Sequence, residues 1–147
     1  MPLLKLWIHL VWATKYREPV MNKKIMFQIF NHIRENARNK GIYLYFVNGY
    51  SDHIHCLISL GTGQNIDNIV QLIKGESSHW INEQKLTDSK FRWQTGYFAA
   101  SVCESHVKRV REYIKNQESH HRKKPFLDEL ETLLKECGLE MKKDFLD

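Results

Sequence analysis

The sequence predicts an α+β fold, a ferredoxin-like antiparallel sheet with helices packed on one side. Three observations predict it. Short runs of β-branched and aromatic residues alternate with longer stretches of four-residue apolar spacing. Two of the extended runs are separated only by a tight turn, and the whole order reads β-α-β-β-α-β-α-α. At 147 residues the chain fits one domain, 1–147.

Each element follows from local pattern. Between Leu4 and Thr14, Trp7, His9 and Val11 alternate with Leu6, Ile8, Leu10 and Trp12, two sets facing opposite sides of a strand. Asn22 to Lys40 predicts a helix, with Ile25, Ile29, Ile33 and Ala37 four residues apart and Gly41 as its stop. Ile42 to Gly49 and His53 to Ser59 predict a hairpin turning at Gly49–Asp52. Asn65 to Asn82 predicts a helix, with Ile66, Ile69, Val70 and Ile73 on one side. Phe91 to Cys103 reads as two short strands bent near Gly96, and Glu104 to Asn116 as a helix. Pro125 opens a last helix with a stripe of Leu127, Leu130, Leu133 and Leu134, ended by Gly138.

Hydrophobic residues at 42% and charged residues at 27% are ordinary for a globular chain and exclude disorder. Cys56, Cys103 and Cys137 form no close pair, which argues against a disulfide framework or a zinc knuckle. The apolar stretch Leu6–Val11 is too short for a membrane span, so the expectation is a cytoplasmic protein with no membrane partner. The net charge of +5 is unevenly spread. Residues 105–125 hold 7 Lys/Arg against 2 Asp/Glu, whereas residues 126–147 hold 3 against 7. The basic segment favours a polyanion through counterion release, though it also fits a solvated helix face.

Two motifs bear chemistry. In His53-Ile54-His55, residues two apart on a strand point to one face with Cα atoms about 6.6 Å apart, so both imidazoles can meet one cation. The same spacing serves two hydrogen-bonded or solvent-facing histidines. In Tyr113-Ile114-Lys115-Asn116-Gln117, the i,i+4 spacing puts a phenol beside an amide on one helix face. A tyrosine facing out among Lys108, Arg109, Arg111 and Lys115 would have its ionised form favoured by those cations; an amphipathic cover for the sheet is the other reading.

Together and in this order these residues carry a resemblance. The run His9-Leu10-Val11-Trp12-Ala13-Thr14-Lys15-Tyr16-Arg17 is followed by Asp52-His53-Ile54-His55 and Phe91-Arg92-Trp93-Gln94-Thr95-Gly96-Tyr97. It ends in Tyr113-Ile114-Lys115-Asn116-Gln117-Glu118-Ser119-His120-His121-Arg122. The chain resembles the single-tyrosine HUH transposases (histidine, hydrophobe, histidine) over nearly its whole length. The resemblance implies that His53, His55 and Gln117 hold Mg²⁺ or Mn²⁺ and that Tyr113 is the nucleophile. It also implies hairpins in single-stranded DNA as substrate, a 5′-phosphotyrosine intermediate, and a homodimer; a tyrosine helix swapped between subunits would deliver Tyr113 and Gln117 together to the other subunit's histidines, and the sequence leaves the cis and trans arrangements both open.

Other positions are assigned by their surroundings. Lys15 and Arg17, by the resemblance, and Lys108, Arg109, Arg111 and Lys115, from the basic stripe, are candidate DNA contacts. His120, His121, Arg122 and Lys123 are expected to meet phosphate and not metal, because adjacent helical residues diverge by about 100°. His9 reads as a hydrogen-bonded, partly buried histidine. Trp80, Trp93 and Tyr97 serve either as core or as base-stacking platforms. A non-catalytic single-strand binding module would use the basic stripe but gives His53, His55 and Gln117 no task. A domesticated relative that processes genomic palindromes would share the chemistry.

Overall fold

The computed structural model describes residues 1–121 and 123–146. Its elements are strand β1 (Trp7–Ala13), helix α1 (Lys23–Asn39), strands β2 (Tyr43–Tyr50) and β3 (His53–Ser59), helix α2 (Ile66–Glu83), strand β4 (Phe98–Val102) and helices α3 (Val107–Lys115), α4 (Gln117–His121) and α5 (Phe126–Glu136). The strands form one antiparallel sheet in the order β2-β3-β1-β4, the ferredoxin-like topology expected of the βαββαβ order.

Side-chain alternation on β1 decides what each face does. Ile8, Leu10 and Trp12, with Ile54, Cys56 and Ile58 of β3, pack under α1 and α2 against Ile29, Phe30, Ile33, Ile69, Val70 and Ile73. Asn22 caps α1 by accepting from the Ile25 amide at 2.9 Å, and Gly41 ends that helical segment at φ +72°, where a side chain would be strained.

The expected helices on one side are thus α1 and α2. The second face is covered as well, which the sequence reading did not include. Val11, Ala13 and Phe98 pack under Phe126, Leu130 and Leu134 of α5, while Trp7 and Leu57 pack with Val107 and Ile114 of α3. The physical reason is that this face is also apolar, apart from His9, His53 and His55, and needs its own cover.

Other boundaries also differ. Of Phe91–Cys103 only Phe98–Val102 is a strand; Trp93 makes an isolated bridge to Thr14. The expected Glu104–Asn116 helix begins as a 3₁₀ turn, Glu104–His106, and α3 starts at Val107. At Asn116 (φ −93°, ψ 23°) the chain leaves α3, so Tyr113 and Gln117 belong to successive helices rather than one. On α5 the buried line is Phe126, Glu129, Leu130 and Leu134, and Leu127 is exposed. Among the described residues no helix is long and apolar enough to cross a membrane.

Candidate metal centre

Strand β3 sends His53 and His55 onto the face beneath α3 and α5, and both are fully buried. Each ring is gripped from behind. His53 Nδ1 donates to Asp52 Oδ1 at 2.7 Å, and His55 Nδ1 pairs with His9 Nε2 at 2.8 Å. Thr14 steadies Asp52, its amide donating to the Asp52 carbonyl at 2.9 Å. Both Nε2 atoms are thereby aimed inward, an arrangement typical of metal-ligating histidines.

Gly49 of β2 pairs with Ile54 so closely that a Cβ there would lie 2.2 Å from the His53 carbonyl oxygen. Asn48 also fixes the far wall, its side-chain amide donating to the carbonyls of Ile114 and Lys115 at 3.0 and 3.1 Å. That anchors the end of α3, where Tyr113 is half-buried with its ring 5.9 Å from that of His55 and 6.3 Å from that of His9. Tyr113 therefore does not face outward among the cations; of the two alternatives the sequence offered, the cover over the sheet is the one it adopts. Lys108, Arg109, Arg111 and Lys115 occupy the exposed arc of α3, and Tyr113 lies on the edge turned toward the sheet.

Gln117 is fully buried, with Oε1 2.8 Å from His53 Nε2. The residue that sequence reasoning missed is Glu129. Its Oε1 lies 3.1 Å from His55 Nε2 and 3.4 Å from His53 Nε2, while Oε2 accepts from Gln117 Nε2 at 3.0 Å and from the Tyr113 hydroxyl. His121, expected at phosphate, stands here too, because it follows Gln117 by four residues on α4 and shares its face. Its Nε2 is 3.1 Å from Gln117 Oε1 and 3.2 Å from Glu129 Oε1.

These donors fit a divalent cation. His53, His55 and Glu129 each turn a ligand atom toward one point, the three atoms lying within 4.8 Å of one another. Donors bound at about 2.1 Å in an octahedron stand roughly 3.0 Å from their neighbours. The contacts of 2.8, 3.1 and 3.4 Å among the His53 and His55 Nε2 atoms, Gln117 Oε1 and Glu129 Oε1 have that spacing. Two imidazoles with oxygen donors suit Mn²⁺ intrinsically and accommodate Mg²⁺.

Charge is strongly coupled in this pocket. Burial opposes a charge on His53, but Asp52 and Glu129 outweigh it and lift the group to about 9. Burial dominates at His55, which falls to about 4 in spite of Glu129, and at His9, which falls to about 3. Glu129 is held far below the usual carboxylate range: burial works against its charge, and hydrogen bonds from His121, His53 and His55 prevail. The Tyr113 phenol is pushed up by burial and by Glu129, opposite to the expected effect of neighbouring cations.

Of the remaining candidates, Lys15 and Arg17 lie in a 3₁₀ turn after β1, and His120 and Lys123 are exposed. Arg111 lies over the rings of Tyr45 and Phe46, 5.4 and 5.1 Å from their centroids. Arg122 lies outside the described residues. Trp93 is buried core and donates to Ser77 Oγ at 2.9 Å, which removes it as a stacking platform; Trp80 stacks on His32 with centroids 4.0 Å apart.

Comparison with known proteins gives a consistent result. Residues 3–117 match the family model described as "Transposase IS200 like". The ISDra2 transposase TnpA of Deinococcus radiodurans is 26% identical over 115 residues, covering 74% of this chain and 81% of that protein. Among solved structures, a candidate transposase from Deinococcus radiodurans R1 superposes with a TM-score of 0.63 at 25% identity, covering 79% of this chain and 93% of that one. A REP-associated tyrosine transposase bound to a REP hairpin shares the fold, with a TM-score of 0.62 at 15% identity, over 82% of this chain and 72% of that chain.

Proposed function

The chain belongs to the IS200-like transposase family, and on that premise we propose that it cleaves and rejoins single-stranded DNA beside a hairpin through a covalent bond to Tyr113. The observation that carries this reading is the meeting, within one chain, of the Tyr113 hydroxyl and the His53 and His55 Nε2 atoms at the two oxygens of Glu129. A nucleophile and a set of metal ligands thus share one carboxylate.

His53, His55, Gln117 and Glu129 would hold the cation, Mg²⁺ or Mn²⁺. Bound there, it would supply Lewis-acid polarisation of a non-bridging oxygen of the scissile phosphate. Glu129 Oε2 orients the phenol, and Gln117 Nε2 keeps that oxygen in place. The Tyr113 oxygen forms a bond to phosphorus as the bond from phosphorus to the 3′-oxygen breaks. The phenolic proton is balanced by the one gained on the departing 3′-hydroxyl, leaving a 5′-phosphotyrosine. The phosphodiester's energy is retained in the new bond, so a second 3′-hydroxyl reverses the step and joins a different strand.

The tyrosine and the histidines meet within one chain, an arrangement that supports cleavage by each subunit with its own tyrosine. Joining two element ends needs two such centres, and a homodimer supplies them. The exposed cations of α3 steer the strand toward Tyr113.

The test is a denaturing gel after incubation with Mn²⁺ or Mg²⁺ and single-stranded DNA carrying hairpins from the regions flanking the gene. A protein–DNA adduct is expected that survives denaturation, disappears in Tyr113→Phe and is strongly reduced in His53→Ala and His55→Ala. Nicking without an adduct would replace this reading with a hydrolase; binding without cleavage, with a non-catalytic module.

A further inference from the structure

His121 has its proton already committed. Its Nδ1 stands 2.8 Å from the Lys124 carbonyl oxygen, which only accepts, so Nδ1 bears the ring's N–H. In the neutral ring Nε2 then carries a lone pair. That lone pair faces Gln117 Oε1 at 3.1 Å and Glu129 Oε1 at 3.2 Å, two further acceptors.

The pattern repeats around the pocket. Asp52 takes the Nδ1 proton of His53, whose Nε2 faces the same two oxygens at 2.8 and 3.4 Å. His9 engages Nδ1 of His55, whose Nε2 faces Glu129 Oε1 at 3.1 Å. The ligand atoms of His53, His55 and Glu129 converge on one point, and His121 Nε2 borders that point through its contacts with Gln117 Oε1 and Glu129 Oε1.

We infer that His121 is a third imidazole ligand of the cation, beside His53 and His55, an inference that rests on the metal-centre reading above. Gln117 and His121 lie one helical turn apart on α4, so one short helix delivers both. The Lys124 carbonyl does for His121 what Asp52 does for His53, fixing the tautomer and the direction of the ring. With His53, His55, Gln117 and Glu129, the set comes to five donors, and an octahedral ion keeps one position for a phosphate oxygen. Three of the five come from the segment 117–129, so the ion fastens that segment to the sheet. A set this rich in imidazole selects Mn²⁺ over Mg²⁺.

The test uses the full chain and Mn²⁺ alone. Electron spin-echo modulation counts the imidazole nitrogens on bound Mn²⁺, and calorimetry gives its affinity. Three nitrogen couplings are expected in the wild type and two in His121→Phe, which keeps an aromatic ring against Tyr50 and His53. Affinity for Mn²⁺ should fall about tenfold or more. Added imidazole should restore the third coupling in His121→Gly, a variant that also serves if the phenylalanine misfolds. Two couplings in wild type and variant alike, with equal affinity, would overturn the assignment of His121 and leave the centre standing. A wild-type chain that binds no Mn²⁺ would overturn the centre itself.

Discussion

His9 Nε2 stands 2.8 Å from His55 Nδ1, with the two rings stacked at a centroid distance of 5.1 Å. A residue of β1 therefore sets the tautomer of a histidine on β3 and aims its Nε2 into the pocket. His9→Phe keeps the ring volume but removes the hydrogen-bond partner of His55 Nδ1. Mn²⁺ affinity measured by calorimetry is expected to fall about 10- to 100-fold. His9→Gln, whose amide can pair with His55 Nδ1 in either direction, should recover much of the loss. Equal affinities in all three proteins would show that the His9 contact is only packing.

Glu129 balances the buried imidazoles, so its neutral isostere should be costly before any cation is added. Glu129→Gln leaves His53 charged between Asp52 and an amide, and breaking a buried ion pair costs about 3 kcal/mol. Chemical unfolding in chelator is expected to show a loss of that order, and Mn²⁺ affinity should drop in parallel. Unchanged stability together with unchanged affinity would remove Glu129 from the centre.

How much of this was legible in the sequence depended on periodicity. The strands and the first two helices declared themselves because each buries one face, as Ile29, Ile33 and Ala37 do on α1. The family motifs led to His53, His55, Tyr113 and Gln117, and the structure brings those four together. Glu129 stayed hidden because an acid in an amphipathic helix ordinarily faces water. The sign that would have found it is its place three residues after Phe126, inside the line Phe126–Leu130–Leu134. The direction of Tyr113 was legible too, since it follows Val110 by three residues on the inward edge of α3. The break at Asn116 was not, because one residue leaving helical geometry has no periodic signature.

Gly49 should be nearly intolerant of substitution although it has no side chain to offer the centre. An alanine Cβ would lie 2.2 Å from the His53 carbonyl oxygen and 3.0 Å from Ile54 Cα, both backbone atoms of β3. Relief requires β2 and β3 to part where His53 and His55 sit. Gly49→Ala is expected to lower stability by about 2 kcal/mol, within the range for overpacking. It should also weaken Mn²⁺ binding, whereas an alanine at Gly75, where a Cβ meets nothing within 4 Å, should do neither.

Lys74 gives the fold a pH dependence of its own, away from the centre. Its ammonium is buried and donates to the carbonyls of Thr95 and Gly96 at 3.0 and 3.1 Å; burial lowers it from 10.5 to about 8, against an opposing pull from Asp67. The Trp12 ring lies 5.9 Å away, and Tyr97 bonds to Asp67 nearby. Between pH 8 and 10.5 the unfolded chain holds the Lys74 proton and the folded chain has released it, so this group makes stability rise with pH in that window. Lys74→Met is expected to flatten the rise, read from denaturant midpoints at pH 7.5 and 9.5. An identical slope in the variant would refute the assignment.

The exposed arc of α3 should reveal itself through salt. Lys108, Arg109 and Lys115 lie on that arc, and each phosphate contact to a single strand contributes about 0.7 to the slope of log K against log salt. In a Tyr113→Phe background, which prevents covalent trapping, alanine at each of the three should weaken binding of labelled single-stranded DNA. Each should also flatten the slope by about that amount, measured by fluorescence anisotropy across salt. Arg111 should behave differently, since its guanidinium lies over Tyr45 and Phe46; its loss removes packing as well as charge. Arg111→Ala should therefore keep the salt slope while lowering stability, and a slope that falls as it does for the other three would place Arg111 on the DNA instead.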